Sequence, residues 1–81
     1  MMRKLKRTVL SVLAPCGEYP MPEPALTGAV RLLYPEVTIS DVRAAVRALE
    51  EDGYVIGVAH ELIDTTWSLT PKGIHLSRQL P

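Results

Sequence analysis

Apolar residues in this chain recur with a helical period up to about residue 52 and with a strand period after it. In residues 3–14, Leu5, Val9, Val12 and Leu13 fall at i, i+4, i+7 and i+8, one face of a helix. Pro15 and Gly17 end it. The stretch "GEYPMPEP" that follows holds three prolines in eight residues and reads as an extended connector. Pro24 suits the first turn of a second helix, where its missing N–H costs nothing. That helix has Leu26, Ala29, Val30 and Leu33 as its apolar face, and Pro35 closes it. Gly28 inside it weakens the helix unless a neighbouring helix packs close.

The stretch "TISDVRAAVRALEEDGYV", residues 38–55, has the clearest signals of the chain. Thr38 is a good N-cap, with Asp41 three residues on as a weaker reciprocal partner. Val37 and Val42 take the two positions of a hydrophobic staple. Val42, Ala45, Val46 and Leu49 form the inner face of this third helix, over 38–52. Gly53 stands where a left-handed residue ends a helix, which turns Tyr54 back onto Leu49.

From Tyr54 the period becomes two. "YVIGVAH" and "TTWSL", rich in β-branched and aromatic residues, predict two strands joined across "ELID". Tyr54 and Trp67 are expected to pack this hairpin onto the helices. Thr70 as cap and Pro71 in the first turn then predict a short last helix, with Ile74, Leu76 and Leu80 available for burial. Gly53, Gly57 and Gly73 are read as stop, strand and turn residues. The order is helix, helix, helix, hairpin, helix: an α+β fold in a single domain over 1–81.

At 81 residues, 47% apolar and 22% charged, this is a globular composition with a small core. The formal net charge is zero, so no overall basic field draws the molecule to nucleic acid. The charge is unevenly spread. Residues 1–35 hold five basic and two acidic side chains, a balance of +3, and residues 36–81 hold four basic and seven acidic, a balance of −3. Any electropositive surface is therefore built from the N-terminus with Arg43 and Arg47. Cys16, the lone cysteine, excludes an intramolecular disulfide and suits a reducing, cytoplasmic setting. It is expected to be a small buried apolar group. The basic, apolar start followed by Cys16 has the outline of a lipoprotein signal. However, the uncharged run Thr8–Ala14 is short and Pro15 suits no cleavage site.

No run reaches transmembrane length. His60 and His75 have no ligand cluster beside them and read as surface residues. No nucleophile–base pair, paired-carboxylate motif or phosphate loop stands out, so no enzymatic activity, cofactor or metal is expected.

Two local words carry a family resemblance. "VRALEEDGYV" resembles the end of the recognition helix of MarR-, PadR- and ArsR-like bacterial regulators, and "WSLTPKG" resembles the end of their wing. Over about residues 5–80 the chain is similar to a winged helix-turn-helix domain: a three-helix core, a two-stranded hairpin wing and a short C-terminal helix. The resemblance implies a DNA-binding transcriptional regulator, of bacterial or phage type, that lays helix 38–52 in the major groove. Its outward positions are then Ser40, Arg43, Ala44 and Arg47. Arg43 and Arg47, four residues apart, project side by side and suit guanine. Thr38 and Ser40 at the helix start suit a phosphate, and Arg3, Lys4, Lys6 and Arg7 add backbone contacts.

The opposing expectation for the two arginines is a solvated face, with Arg47 paired to Glu50 or Glu51. The wing departs from the family: its tip, Glu61-Leu62-Ile63-Asp64, offers carboxylates where DNA-binding wings offer cations. One aliphatic residue folds back onto the core, or both are exposed as a protein-contact knob. The expected partner is double-stranded DNA, bound with the help of a second copy or a partner protein. The alternative is a winged-helix interaction module that uses Leu62 and Ile63 and binds no DNA.

Overall fold

A computed structural model describes residues 2–80. The elements in chain order are α1 (Met2–Leu13), a 3-10 turn (Ala14–Cys16), β1 (Met21–Pro22), α2 (Glu23–Leu33), α3 (Ile39–Glu51), β2 (Val55–Val58), β3 (Thr66–Leu69) and α4 (Pro71–Gln79). The three strands form one antiparallel sheet in the order β1-β3-β2. The fold is therefore α+β, with four helices around a small sheet.

α1 is the pillar of the core. Leu5, Val9, Leu10 and Leu13 are all buried, and the helix touches α2, α3, α4 and β3. Leu10 joins the predicted face and Val12 is only half-buried. A stripe flanked by helices on several sides is wider than one period suggests. Each fully buried leucine contributes on the order of 1.5–3 kcal/mol of transfer free energy.

α3 follows its sequence signals closely. The Thr38 hydroxyl accepts the Asp41 N–H at 3.1 Å, and the Asp41 carboxylate accepts the Thr38 N–H at 2.9 Å, which completes a capping box. Val37 and Val42 are both buried, as the staple requires. At the other end Gly53 adopts φ 81°, and the N–H groups of Gly53 and Tyr54 donate to the carbonyls of Glu50 and Leu49. This double bond pattern is the Schellman motif, and the left-handed φ is what calls for glycine. The helix proper runs 39–51, with Thr38 and Asp52 as its caps.

Five expectations need correction, three of them about elements. The proline-rich connector contains a strand: Met21 and Pro22 pair with Trp67 and Thr66 of β3. Proline is tolerated there because β1 lies at the sheet edge. On α2 the buried residues are Leu26, Thr27 and Val30, while Leu33 is 65% exposed beside an equally outward Leu32. The last turn of α2 overruns the core, and Tyr34 packs against it instead. In the hairpin the strands are shorter than predicted and residues 59–65 lie outside both. Val58 already pairs with Thr66, so Ala59, His60 and Thr65 have no ladder partner.

The remaining placements concern single side chains. Trp67 is buried between sheet and helices and Tyr54 is partly buried, as expected. Cys16 is half-buried rather than buried. Gly73 is not a turn residue but lies inside α4. A Cβ there would overlap the Tyr54 carbonyl oxygen, so α4 docks closely only with glycine at this position.

Candidate functional site

Burying Val42, Ala45, Val46 and Leu49 turns the opposite side of α3 to solvent. Ser40, Arg43, Ala44 and Arg47 are all exposed there. Thr38, Ser40, Arg43, Ala44 and Arg47 are thus brought together along the first three turns. The Thr38 hydroxyl and the Asp41 carboxylate are already engaged with each other's backbone N–H groups. Ile39, half exposed in the same first turn, adds an apolar contact that periodicity did not single out.

The two arginines differ in their surroundings. Arg43 Nε donates to Glu23 Oε2 at 3.1 Å, and the glutamate side chain is only 15% exposed against 55% for the arginine. Arg47 makes no ion pair among the described residues, and the expected partner Glu50 instead accepts the Gly57 N–H at 3.1 Å. Glu50 thereby covers part of the free edge of β2. The expected pair of Arg47 with Glu50 or Glu51 is not formed among the described residues; the arginine that is paired is Arg43, and its partner comes from α2.

A polar groove runs between α3 and the sheet, bordered by Glu23, Arg43, Arg47, Glu50, Gly57 and Thr65. A second, more apolar groove lies on the α2 side, bordered by Glu23, Gly28, Arg31, Ile39, Arg43 and Asp64. The Arg43–Glu23 pair borders both. Both carboxylates of the polar groove accept a hydrogen bond from the protein, whereas the Arg47 guanidinium and the Nη groups of Arg43 accept no such constraint. The groove thus presents two guanidiniums beside two carboxylates that keep acceptor capacity, and the donors it offers a ligand are the Arg47 guanidinium and the Arg43 Nη groups.

The basic N-terminal residues sit elsewhere. Arg3, Lys6 and Arg7 border a groove with Leu49, Asp52 and Tyr54, at the last turn of α3. With 13 residues α3 is about 20 Å long, so these cations stand most of a helix length from Ser40. Lys4 lies over the Tyr34 ring, 4.4 Å from its centroid. The nine candidate DNA contacts therefore do not form one patch.

At the hairpin tip both aliphatic residues point outward: Leu62 is 91% and Ile63 68% exposed. Neither folds back. Asp64 lies beside the start of α2 and α3, where it adds negative charge next to Arg31 and Arg43. His60 Nε2 is 3.2 Å from Thr66 Oγ1, and His75 Nε2 is 3.1 Å from Gln79 Nε2. Among the described residues no group of His, Cys, Asp and Glu is placed to hold a metal ion. None of the helices among them is long and apolar enough to cross a membrane.

Glu23 is the residue that sequence reading passed over. Its contact with Arg43 spans twenty positions, and its only local signal is an acid in the first turn of a helix, which favours the helix dipole. Comparison of the chain with protein-family models, with curated proteins and with solved structures finds no match.

Proposed function

We propose that this protein is a winged-helix DNA-binding protein, a small transcriptional regulator of bacterial or phage type and not an enzyme, with α3 as the helix that enters the major groove. The observation that carries the reading is the row Ser40, Arg43 and Arg47, exposed along one side of a doubly capped helix whose other side is buried. Three helices followed by an antiparallel hairpin, with the words quoted above at the end of α3 and of β3, support it further.

In this reading Arg43 and Arg47 reach base edges, and Thr38 and Ser40 hold a phosphate at the helix start. Ala44 leaves room for the groove wall between the arginines. Arg3, Lys6 and Arg7 meet the backbone separately, at the far end of α3, and Lys4 meets it from its place over Tyr34. A single domain with so few cations binds non-specific DNA at about 10⁻⁴–10⁻⁶ M at physiological salt, so a second copy or a partner protein supplies the rest of the affinity.

A residue-resolved NMR titration with a mixed-sequence duplex, at low and then moderate salt, tests this. Salt-sensitive shifts grouped on Ser40, Arg43, Arg47 and the N-terminal arm are the expected result. An unchanged spectrum at low salt with duplex in excess overturns it.

A second reading rests on the wing. Leu62 and Ile63 are fully presented on an acidic tip, which suits a protein contact better than a phosphate. In that reading the domain is a protein-interaction module without DNA binding. Leu62→Asp then abolishes capture of the partner while the thermal melt is unchanged, and capture that survives the change removes the wing as the interface.

A further inference from the structure

We infer that Glu23 is a positioning residue for Arg43, and that it gives this site a preference for guanine at one base pair. The inference rests on the DNA-binding reading above and adds to it which arginine specifies and what holds it in place.

Glu23 is unusually well anchored for a surface acid. Pro22 and Pro24 flank it, and their rings fix φ on either side. Its own N–H donates to the Thr65 carbonyl at 2.9 Å, which ties the first turn of α2 to the sheet beside β3. Its carboxylate is largely covered and meets Arg43 across the gap between α2 and α3. Thr65 therefore fixes Glu23 through its backbone, and the side chain so placed holds one nitrogen of Arg43.

The nitrogen it holds is Nε. A guanidinium has five N–H groups in a rigid planar fork. Engaging Nε leaves the four N–H groups on the two Nη atoms for a ligand, and fixing one corner of a planar fork fixes its direction. Guanine presents two acceptors, O6 and N7, on its major-groove edge, the pattern such a fork matches. Thymine and adenine each present a single acceptor there, and cytosine presents a donor. Arg47, without an acidic partner among the described residues, keeps its rotamer freedom, so its base contact discriminates less.

Glu23 also acts against general affinity, because its carboxylate offsets the charge of Arg43 on the face that would meet DNA. Its removal should therefore weaken discrimination without weakening non-specific binding. A residue that merely stabilised the fold would lower both together.

Selection from a pool of random duplexes, followed by affinity measurement on the selected and on a scrambled sequence, tests the inference with four proteins: wild type, Arg43→Ala, Glu23→Asp and Glu23→Gln. Aspartate keeps the charge but is one methylene short of Arg43. Glutamine keeps the reach but not the charge. We expect wild type to select a guanine that Arg43→Ala no longer selects. Glu23→Asp should lose on the order of two- to tenfold of the preference at that same base, the freedom of one long side chain, with unchanged affinity for the scrambled duplex. Glu23→Gln should bind the scrambled duplex more tightly.

Full preference in Glu23→Asp at the base that Arg43→Ala loses would overturn the positioning role while leaving DNA binding intact. So would Arg43→Ala selecting the same guanine as wild type. If Glu23→Asp melts at a much lower temperature, Glu23→Gln decides: a preference and a scrambled-duplex affinity both equal to wild type overturn the role. Failure of wild type to bind any duplex overturns the DNA reading itself, and this inference with it.

Discussion

The two helices that border the candidate site are neighbours of similar length, α2 with 11 residues and α3 with 13, yet they are held in different ways. α3 carries a capping box, a staple, a Schellman stop and four buried side chains on one face. α2 has no side-chain cap, holds an exposed glycine at its centre, buries Leu26, Thr27 and Val30, and leaves two leucines in water. Its first turn is secured instead from outside, by Thr65 through the Glu23 backbone and by Arg43 through the Glu23 side chain. A helix that is specified locally presents a constant surface. A helix that is specified by its contacts can deliver a side chain to a neighbour, and α2 delivers Glu23.

Four substitutions test that contrast, each read as a change in unfolding free energy with an unchanged denaturant slope. The largest effect belongs to Leu49→Ala on the buried face of α3. It leaves a cavity under the helix and should cost about 2–5 kcal/mol. A loss below about 1 kcal/mol would mean that α3 relaxes into the space and is less rigid than its caps imply. Gly53→Ala comes next, because alanine must adopt the left-handed φ of the helix stop, and about 1–2 kcal/mol should be lost.

The third and fourth lie on α2 and have a different character. Beyond its own stretch of helix backbone, Gly28 has no heavy atom within 4 Å of where a Cβ would stand, so Gly28→Ala should stabilise the fold by about 0.8–1.0 kcal/mol. Destabilisation there would show that something packs on this turn. Leu33→Ser removes an exposed apolar group and should change stability by less than about 0.5 kcal/mol. If it costs as much as Leu49→Ala, the last turn of α2 belongs to the core after all.

How far the sequence could be read follows the same division. Thr38, Asp41, Val37, Val42 and Gly53 act within a few residues of one another, and each was legible because its partner is close along the chain. The cap of α4 at Thr70, whose hydroxyl accepts the Gly73 N–H, was legible for the same reason. β1 was not: a two-residue strand has no periodicity, and Met21 and Pro22 become a strand only because β3 lies beside them. Leu33 was misassigned because helical spacing says which residues share a face but not where the core ends. In the candidate site, the period set Arg43 and Arg47 opposite the apolar face, and the family resemblance singled out the row with Ser40 and Ala44. The Glu23 contact and the separation of the N-terminal cations from Ser40 did not.

The sequence alone therefore determined the helices and their ends, the change of period at Tyr54 and the solvent-facing row Ser40, Arg43, Ala44 and Arg47. These depend on hydrogen bonds and side-chain spacings within one or two turns, and such short-range terms are written in consecutive residues. Only the tertiary structure decided that Arg43 is held while Arg47 has no ion-pair partner among the described residues, that both hairpin-tip aliphatics face water, and that Gly73 lies against the Tyr54 carbonyl. Each of these depends on how elements distant in the chain pack together, and a local period carries no information about the distance between two helices.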